Sequence, residues 1–307
     1  MENNINKTII YVADMFVEEC EGGAELTSDA IIKSSPYNIV TIRSQDLNIT
    51  LAEKHLDKFW IFGNFFEIRN SAKEYIINNL KYSVIEYDYK YCKRRNEDFC
   101  IILDGECKCN KNLNENLNAL LLLHSKYIWW MSEEQKKLYH DKIPYLRRNQ
   151  QDVLSSVFSR NTLNYIAELQ NTRKNNKYLI YNTKAALKNT HGAIDFAKYN
   201  KLPFNLVGDL KYFEFLRELS RHKGLIYVPL AKDTCPRLVI EAALLHCELY
   251  LNEYVQHATE DWFQNENKIN KHLAGRSQLF WEQTSELMVG NELIPLALWK
   301  KGNYQLE

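Results

Sequence analysis

The chain has 307 residues, 45% of them hydrophobic and 25% charged, the make-up of an ordinary globular protein. That length exceeds one compact core of usual size, so two domains are expected. Its 39 basic and 39 acidic side chains cancel, which argues against a protein held on nucleic acid by its overall field and leaves open a local basic patch.

Residues 1–7 carry no basic region followed by an apolar core, so no signal peptide is expected and the protein should stay in the cytoplasm. The apolar run 119–123 is far short of the ~18 residues of a membrane span. Short β-branched and aromatic runs at 8–12, 37–42, 59–62, 83–87 and 126–131 read as strands. Between them, 24–34, 67–78, 113–124 and 132–140 have helical spacing. Ser132, followed by Glu134 and Gln135, reads as an N-cap with a capping-box partner in the first turn. Strand and helix alternating over short links implies a parallel sheet with right-handed crossovers.

A polar, turn-rich stretch at 171–176 interrupts this grammar, and the boundary between domains is expected near 158–176. The pattern then restarts. Strands are expected at 178–181, 204–207, 225–228 and 248–251, and helices at 185–199, 212–220 and 236–246. Pro236 suits the start of its helix, where a missing N–H costs little. The tail 257–288 looks helical, with Trp262, Phe263, Phe280 and Trp281 as apolar anchors that can cross back to the first domain. The expected architecture is α/β, two Rossmann-like domains facing a cleft, divided as 1–160, 161–275 and a helical tail 276–307.

Three segments carry chemistry. In the first, Gly22 and Gly23 follow the first strand and open a helix, where bare backbone N–H groups and the helix dipole favour an anion. An ordinary turn is the plain alternative, and the missing third glycine argues against a dinucleotide fingerprint. The second runs from Val228 to Cys247, with Lys232, Asp233 and Thr234 in a loop and Glu241 on an otherwise apolar helix. A carboxylate there needs a partner. It suits sugar hydroxyls, and an interdomain salt bridge is the competing reading.

These two segments together resemble the retaining glycosyltransferases of the GT-B fold. Those enzymes carry an early Gly-Gly-Ala-Glu turn and a late acid-x7-acid segment, seen here as Gly22-Gly23-Ala24-Glu25 and Asp233-x7-Glu241-Ala242. Segments around Asp233–Ala242, Leu251–His257 and Met131–Gln135 also resemble glycosyltransferases of large bacteriophages. The resemblance implies a nucleoside-diphosphate sugar as donor, a UDP-sugar above others, and front-face transfer with no metal required for the chemistry. Gly22 and Gly23 would face the diphosphate, Glu241 the ribose hydroxyls, and Asp233 with the Thr234 backbone the sugar. Lys184 and Lys188, four apart on one helical face, would take the place of the family's basic pair. The family's Arg-x4–5-Lys-Gly form is absent, and Asp233 stands where a glutamate is usual. The acceptor is a hydroxyl of a glycan, protein or small molecule, or of a hydroxymethylated base in phage DNA.

The third segment, 88–109, is a long insertion after the fourth strand and should face the acceptor, because loops at strand C-termini face the crevice of open α/β sheets. Asp88 is a candidate catalytic residue on that side. Lys90, Lys93, Arg94 and Arg95, interleaved with Tyr89 and Tyr91, are candidates for phosphate and base contacts, against the alternative of a solvated charged loop. Cys92, Cys100, Cys107 and Cys109 are four of the chain's seven cysteines, and read either as a zinc site or as free thiols. No two of the eight histidines share a ligand spacing; His191 is the one nearest the expected donor phosphates. Trp129 and Trp130 read as core. Two other functions remain: a sugar-nucleotide epimerase, which the scattered histidines support poorly, and a nucleotide-sugar-binding protein without catalysis.

Overall fold

The computed structural model describes residues 7–109 and 116–289. The first half builds β1 (Thr8–Ala13), α1 (Gly23–Lys33), β2 (Asn38–Arg43), α2 (Ile49–Lys54), β3 (Phe59–Phe62), α3 (Asn70–Asn79) and β4 (Lys81–Glu86). It continues with α4 (Glu97–Asp104), α5 (Leu117–Leu123), β5 (Tyr127–Trp130), α6 (Glu133–Lys142) and β6 (Gln151–Val153). All six strands are parallel, in the order β2-β1-β3-β4-β5-β6. Phe59–Phe62 and Tyr127–Trp130 are buried at every position, as strands must be when helices cover both faces. Trp129 and Trp130 are core.

The second half starts with α7 (Arg160–Leu169), then β7 (Tyr178–Tyr181), α8 (Thr190–Tyr199), β8 (Phe204–Val207), α9 (Tyr212–Ser220), β9 (Gly224–Tyr227), α10 (Arg237–Leu244) and β10 (Glu248–Leu251). This sheet is also parallel, ordered β10-β9-β7-β8. Strand order reverses at β1 in one sheet and at β7 in the other, so each offers a crevice at its strand C-termini. Finally α11 (Glu266–Ala274) and α12 (Arg276–Val289) lead back to the first sheet. There the Trp281 indole N–H donates to the carbonyl of Ile31 (3.1 Å), and Tyr37 and Ser285 share a hydroxyl hydrogen bond. One apolar core runs from Ile9 and Trp129 through Val157, Phe158 and Trp281 to Leu225 and Val239, joining the inner faces of both sheets.

Several expectations needed correcting. The stretch 158–176, where the domain boundary is expected, holds α7, capped by Ser159, which accepts from the N–H of Thr162. The helix expected at 185–199 is broken. Residues 186–188 make a single 3-10 turn, and Asn189 at φ 54° caps α8 by accepting from the N–H of Gly192. The insertion 88–109 holds α4, capped by Asn96 through the N–H of Phe99. Residue 113, expected to start a helix, and residues 290–307 of the expected tail lie outside the described residues. The Ser132 cap is present, accepting from the N–H of Gln135, and the Gln135 amide accepts in turn from the N–H of Met131.

Near the start of the tail, His257 is fully buried with neither ring nitrogen hydrogen-bonded, between Trp262 (5.5 Å) and Phe263 (4.6 Å). Burial holds it neutral, pushing its pKa from 6.5 down to about 3, with Asp233 opposing. A base depressed in the native state contributes stability above pH 6.5 that is lost as pH falls toward 3, because the unfolded chain takes up the proton first. His257→Phe is therefore expected to flatten the fall in unfolding free energy below pH 6.5, by roughly 1.4 kcal/mol per pH unit. Urea unfolding of both proteins at pH 7, 6 and 5 checks this; parallel pH profiles would contradict it.

Candidate functional site

The C-terminal ends of the two sheets face each other across a cleft of about 340 Å³, within the size range of small-molecule sites. Gly22 and Gly23 form one wall. Gly22 is the N-cap of α1 with extended backbone (φ −78°, ψ 169°), and no side chain caps the helix. The Glu25 carboxylate takes the N–H of its own residue, which leaves those of Gly23 and Ala24 for a ligand or water. The Glu25 carboxylate folds back beside Gly22, so that a Cβ at residue 22 would lie 2.4 Å from it. Burial raises the pKa of Glu25, and the hydrogen bond from its own N–H, then Arg95, partly offset this.

The opposite wall comes from the second sheet. Breaking the expected helix before residue 190 turns Lys188 into the cleft, while Lys184 is exposed and outside the lining. The two lysines do not share a helical face. The Lys188 ammonium donates to Asp233 Oδ2 (2.6 Å), the Tyr227 hydroxyl donates to the same oxygen (2.5 Å), and the ammonium lies over the Tyr227 ring (5.7 Å). Asp233 therefore fixes the lysine by one of its three donors. Thr234 is committed elsewhere: its hydroxyl donates to the carbonyl of Tyr87 (2.8 Å), tying the loop to the first sheet. His191 is exposed and outside the cleft lining.

Glu241 projects from α10 and is 3% exposed. Its partner is on its own helix rather than across the domains: Arg237 Nε donates to Oε1 (3.0 Å), and the Tyr212 hydroxyl donates to the same oxygen (2.6 Å). Arg237 also donates to the carbonyl of Val157 (2.6 Å) and stacks on Phe158 at 3.6 Å. Burial raises the Glu241 pKa, and Arg237 is the main opposing influence. The Tyr212 N–H donates to Glu21 (2.9 Å), a further link between the two halves.

Asp88 lies on the floor in a run of charges. Arg95 Nε donates to its Oδ2 (2.7 Å) and Lys90 Nζ to its Oδ1 (3.1 Å). Lys90 also meets Glu86 (3.3 Å), and Arg95 meets Asp14 (3.6 Å). Burial alone would raise the Asp88 pKa; Lys90 and Arg95 outweigh it and hold it below the usual range. Glu86 is fully buried, with Oε2 unpartnered, and burial pushes its pKa up to about 8 against the pull of Lys90. Burial and the neighbouring Asp88 carboxylate favour a proton on Glu86, against the pull of Lys90.

The four basic residues of this insertion, expected to contact phosphates and bases, divide into two buried or inward-facing and two exposed. Lys90 is wholly buried, and Arg95 points inward to Asp88 and Asp14. Lys93 (2.9 Å) and Arg94 (2.9 Å) are exposed, but both pair with Asp104. The four cysteines do come together: the sulfurs of Cys92, Cys100, Cys107 and Cys109 all lie within 4.8 Å of one another. Among the described residues no helix is long and apolar enough to cross a membrane.

Sequence reasoning missed Arg237, Tyr212, Tyr227 and Asp209. Arg237 had a usable signal, standing four residues before an acid on one helix. The others lie on separate loops and elements that only the fold brings to the cleft.

No protein-family model matches the chain, and no curated protein matches it significantly. Solved structures do. The Anabaena protein HepE, crystallised with UDP and glucose, is 11% identical with a TM-score of 0.56, covering 92% of this chain and all of its own. Trehalose-6-phosphate synthase OtsA is 8% identical with a TM-score of 0.53, covering 96% of this chain and 97% of its own. An E. coli structure bound to UDP-2-fluoro glucose is 9% identical with a TM-score of 0.50, covering 96% and 97%. At such identities the likeness speaks for architecture: the chain has the GT-B fold, two Rossmann-like α/β domains facing one cleft.

Proposed function

We propose that this protein transfers a sugar from a UDP-sugar to an acceptor hydroxyl with retention at the anomeric carbon. The observation that carries the reading is the convergence, in one cleft, of an uncapped helix N-terminus at Gly22-Gly23, the Lys188–Asp233 pair and the Glu241 carboxylate. UDP and glucose are the ligands named with the HepE fold, and they give the donor to test first. In this reading the diphosphate lies between the α1 amides and Lys188, which keeps two ammonium donors free of Asp233. Glu241 offers Oε2 to the ribose hydroxyls, since Tyr212 and Arg237 both occupy Oε1. Asp233 and the Thr234 backbone hold the sugar.

The bond from the anomeric carbon to the diphosphate oxygen breaks, and the acceptor oxygen bonds on the same face. The acceptor proton passes to the departing diphosphate. Lys188 and the α1 dipole stabilise the charge that develops there, already positioned before reaction. Asp88, kept ionised by Lys90 and Arg95, takes the acceptor side. With Lys90 and Arg95 turned inward and Lys93 and Arg94 sharing Asp104, the insertion offers little unpaired positive charge, so a glycan or small-molecule hydroxyl is the acceptor to test before duplex DNA.

Calorimetry on the full chain is expected to show saturable UDP-glucose binding, with slow release of UDP when no acceptor is present. Binding without any turnover would identify a non-catalytic nucleotide-sugar-binding protein, and an isomerised donor an epimerase. Duplex DNA titrated across a salt series is expected to show no steep loss of affinity with salt; a steep one would reinstate DNA as acceptor.

A further inference from the structure

We infer that Cys92, Cys100, Cys107 and Cys109 form a structural zinc site that fastens the insertion 88–109 against the second domain. The inference stands apart from the sugar-transfer reading. Tetrahedral thiolate ligands about 2.3 Å from zinc lie roughly 3.8 Å apart. The Cys92 and Cys107 sulfurs are 3.8 Å apart, and all four fall within 4.8 Å of each other. The backbone supplies this arrangement. Residues 89–95 form a tight knuckle, with Cys92 N–H donating to Tyr89 (2.9 Å) and Arg95 N–H to Cys92 (2.8 Å). Gly105, in the left-handed region at φ 78°, ends α4 and turns the chain back, returning Cys107 and Cys109 to Cys92. The N–H of Lys93 donates to the Cys109 sulfur (3.4 Å), a bond that suits a metal-bound thiolate.

α4 is a short helix with little apolar burial of its own. Of its eight residues only Cys100 is buried, while Ile101, Ile102 and Leu103 are 44–53% exposed. Apolar burial therefore does not fasten this helix, and eight residues are too few for a helix to persist by propensity. A metal bound through Cys100 to three sulfurs outside the helix supplies the anchor that apolar burial does not, beside the ion pairs of Glu97 with Lys142 and Asp98 with Lys232. The anchor matters to the cleft because α4 docks on the second domain. The Asn96 amide donates to the carbonyl of Lys232 (2.7 Å), and the Lys232 ammonium pairs with Asp98 (2.5 Å), immediately before Asp233.

The test uses the full chain purified without chelator. Metal analysis is expected to find about one zinc per chain, and cobalt exchanged for zinc should give the intense visible absorption of tetrahedral thiolate coordination. Cys107→Ser should lose that metal, whereas Cys20→Ser, outside the cluster, should keep it. Removing zinc from the native protein with a chelator should speed amide hydrogen exchange at residues 88–109 and 230–234 and leave β1 and β3 unchanged. This last arm keeps the question open to decision if Cys107→Ser fails to fold. Substoichiometric metal after growth with zinc, or full retention in Cys107→Ser, would overturn the site. Unchanged exchange at 230–234 after metal removal would overturn its role in fastening the domains.

Discussion

Lys188→Ala is expected to lower sugar transfer by about 10²–10³-fold, the loss typical when one preorganised charge-stabilising donor is removed. The reason lies in its placement. The ammonium is held by Asp233 at 2.6 Å in the cleft wall facing the α1 N-terminus, where the diphosphate of a donor would gather charge as it leaves. Such a contact strengthens between ground state and transition state, so kcat should fall more than KM rises. Some stability should be lost too, because Asp233 is only 12% exposed and keeps Tyr227 but not its cation, so the rates are compared at a temperature where all three proteins are folded. Lys184→Ala is the matched comparison: the same charge is lost from the same loop, outside the cleft, and its rate should stay close to wild type. Steady-state kinetics on the three proteins decide the matter. Equal kcat for Lys188→Ala and wild type would remove Lys188 from the chemistry.

The largest effect on stability is expected from Arg237→Ala, a loss of about 3–5 kcal/mol, the usual result of leaving one buried charge without its partner. Three interactions go together: the bond to Glu241, the bond to the carbonyl of Val157, and stacking on Phe158. With the cation gone, the burial that already raises the Glu241 pKa acts unopposed except by Tyr212. An acid raised in the native state contributes stability below its unfolded pKa that is lost as pH rises through its folded one. The deficit of Arg237→Ala against wild type should therefore widen from pH 5 to pH 8. Denaturant unfolding at both values measures it. Arg237→Ala with Glu241→Gln should recover part of the loss, since the stranded charge is gone. A deficit that is flat in pH, with no recovery in the double variant, would mean Arg237 acts through packing alone.

Much of the fold was legible from local pattern. Tyr178–Tyr181, Phe204–Val207, Tyr212–Ser220 and Glu248–Leu251 lie where apolar runs and helical spacing put them. Each is an element whose own residues carry its burial pattern. The break before α8 was not legible. Residues 185–199 have helical spacing throughout, but Asn189 adopts a left-handed conformation because its amide also donates to the carbonyl of Val228 (2.9 Å) on the neighbouring strand connection. A contact 39 residues away thus overrode local propensity, and it is what separates Lys184 from Lys188.

The basic insertion teaches the same lesson from the charge side. Composition shows Lys90, Lys93, Arg94 and Arg95 as one cationic cluster, and a solvated or phosphate-binding surface is the natural expectation. Their counter-charges, Glu86, Asp88 and Asp14 for two of them and Asp104 for the others, come from a strand, two loops and a helix end.

By itself, the sequence determined the alternation of strands and helices, the two glycines at a helix start, the acids at 233 and 241, and the crowding of four cysteines. Those follow from residue type and short spacing, which act within a turn or a strand. Tertiary structure decided which lysine faces the cleft, that Arg237 and Tyr212 hold Glu241, and that the basic insertion is neutralised. Lys188–Asp233, Asn189–Val228, Tyr212–Glu241 and Arg95–Asp14 join groups far apart in the chain. Arg237–Glu241 and Lys90–Glu86 are sequence neighbours, and there the fold adds the burial that makes an unmatched charge costly and so selects one arrangement.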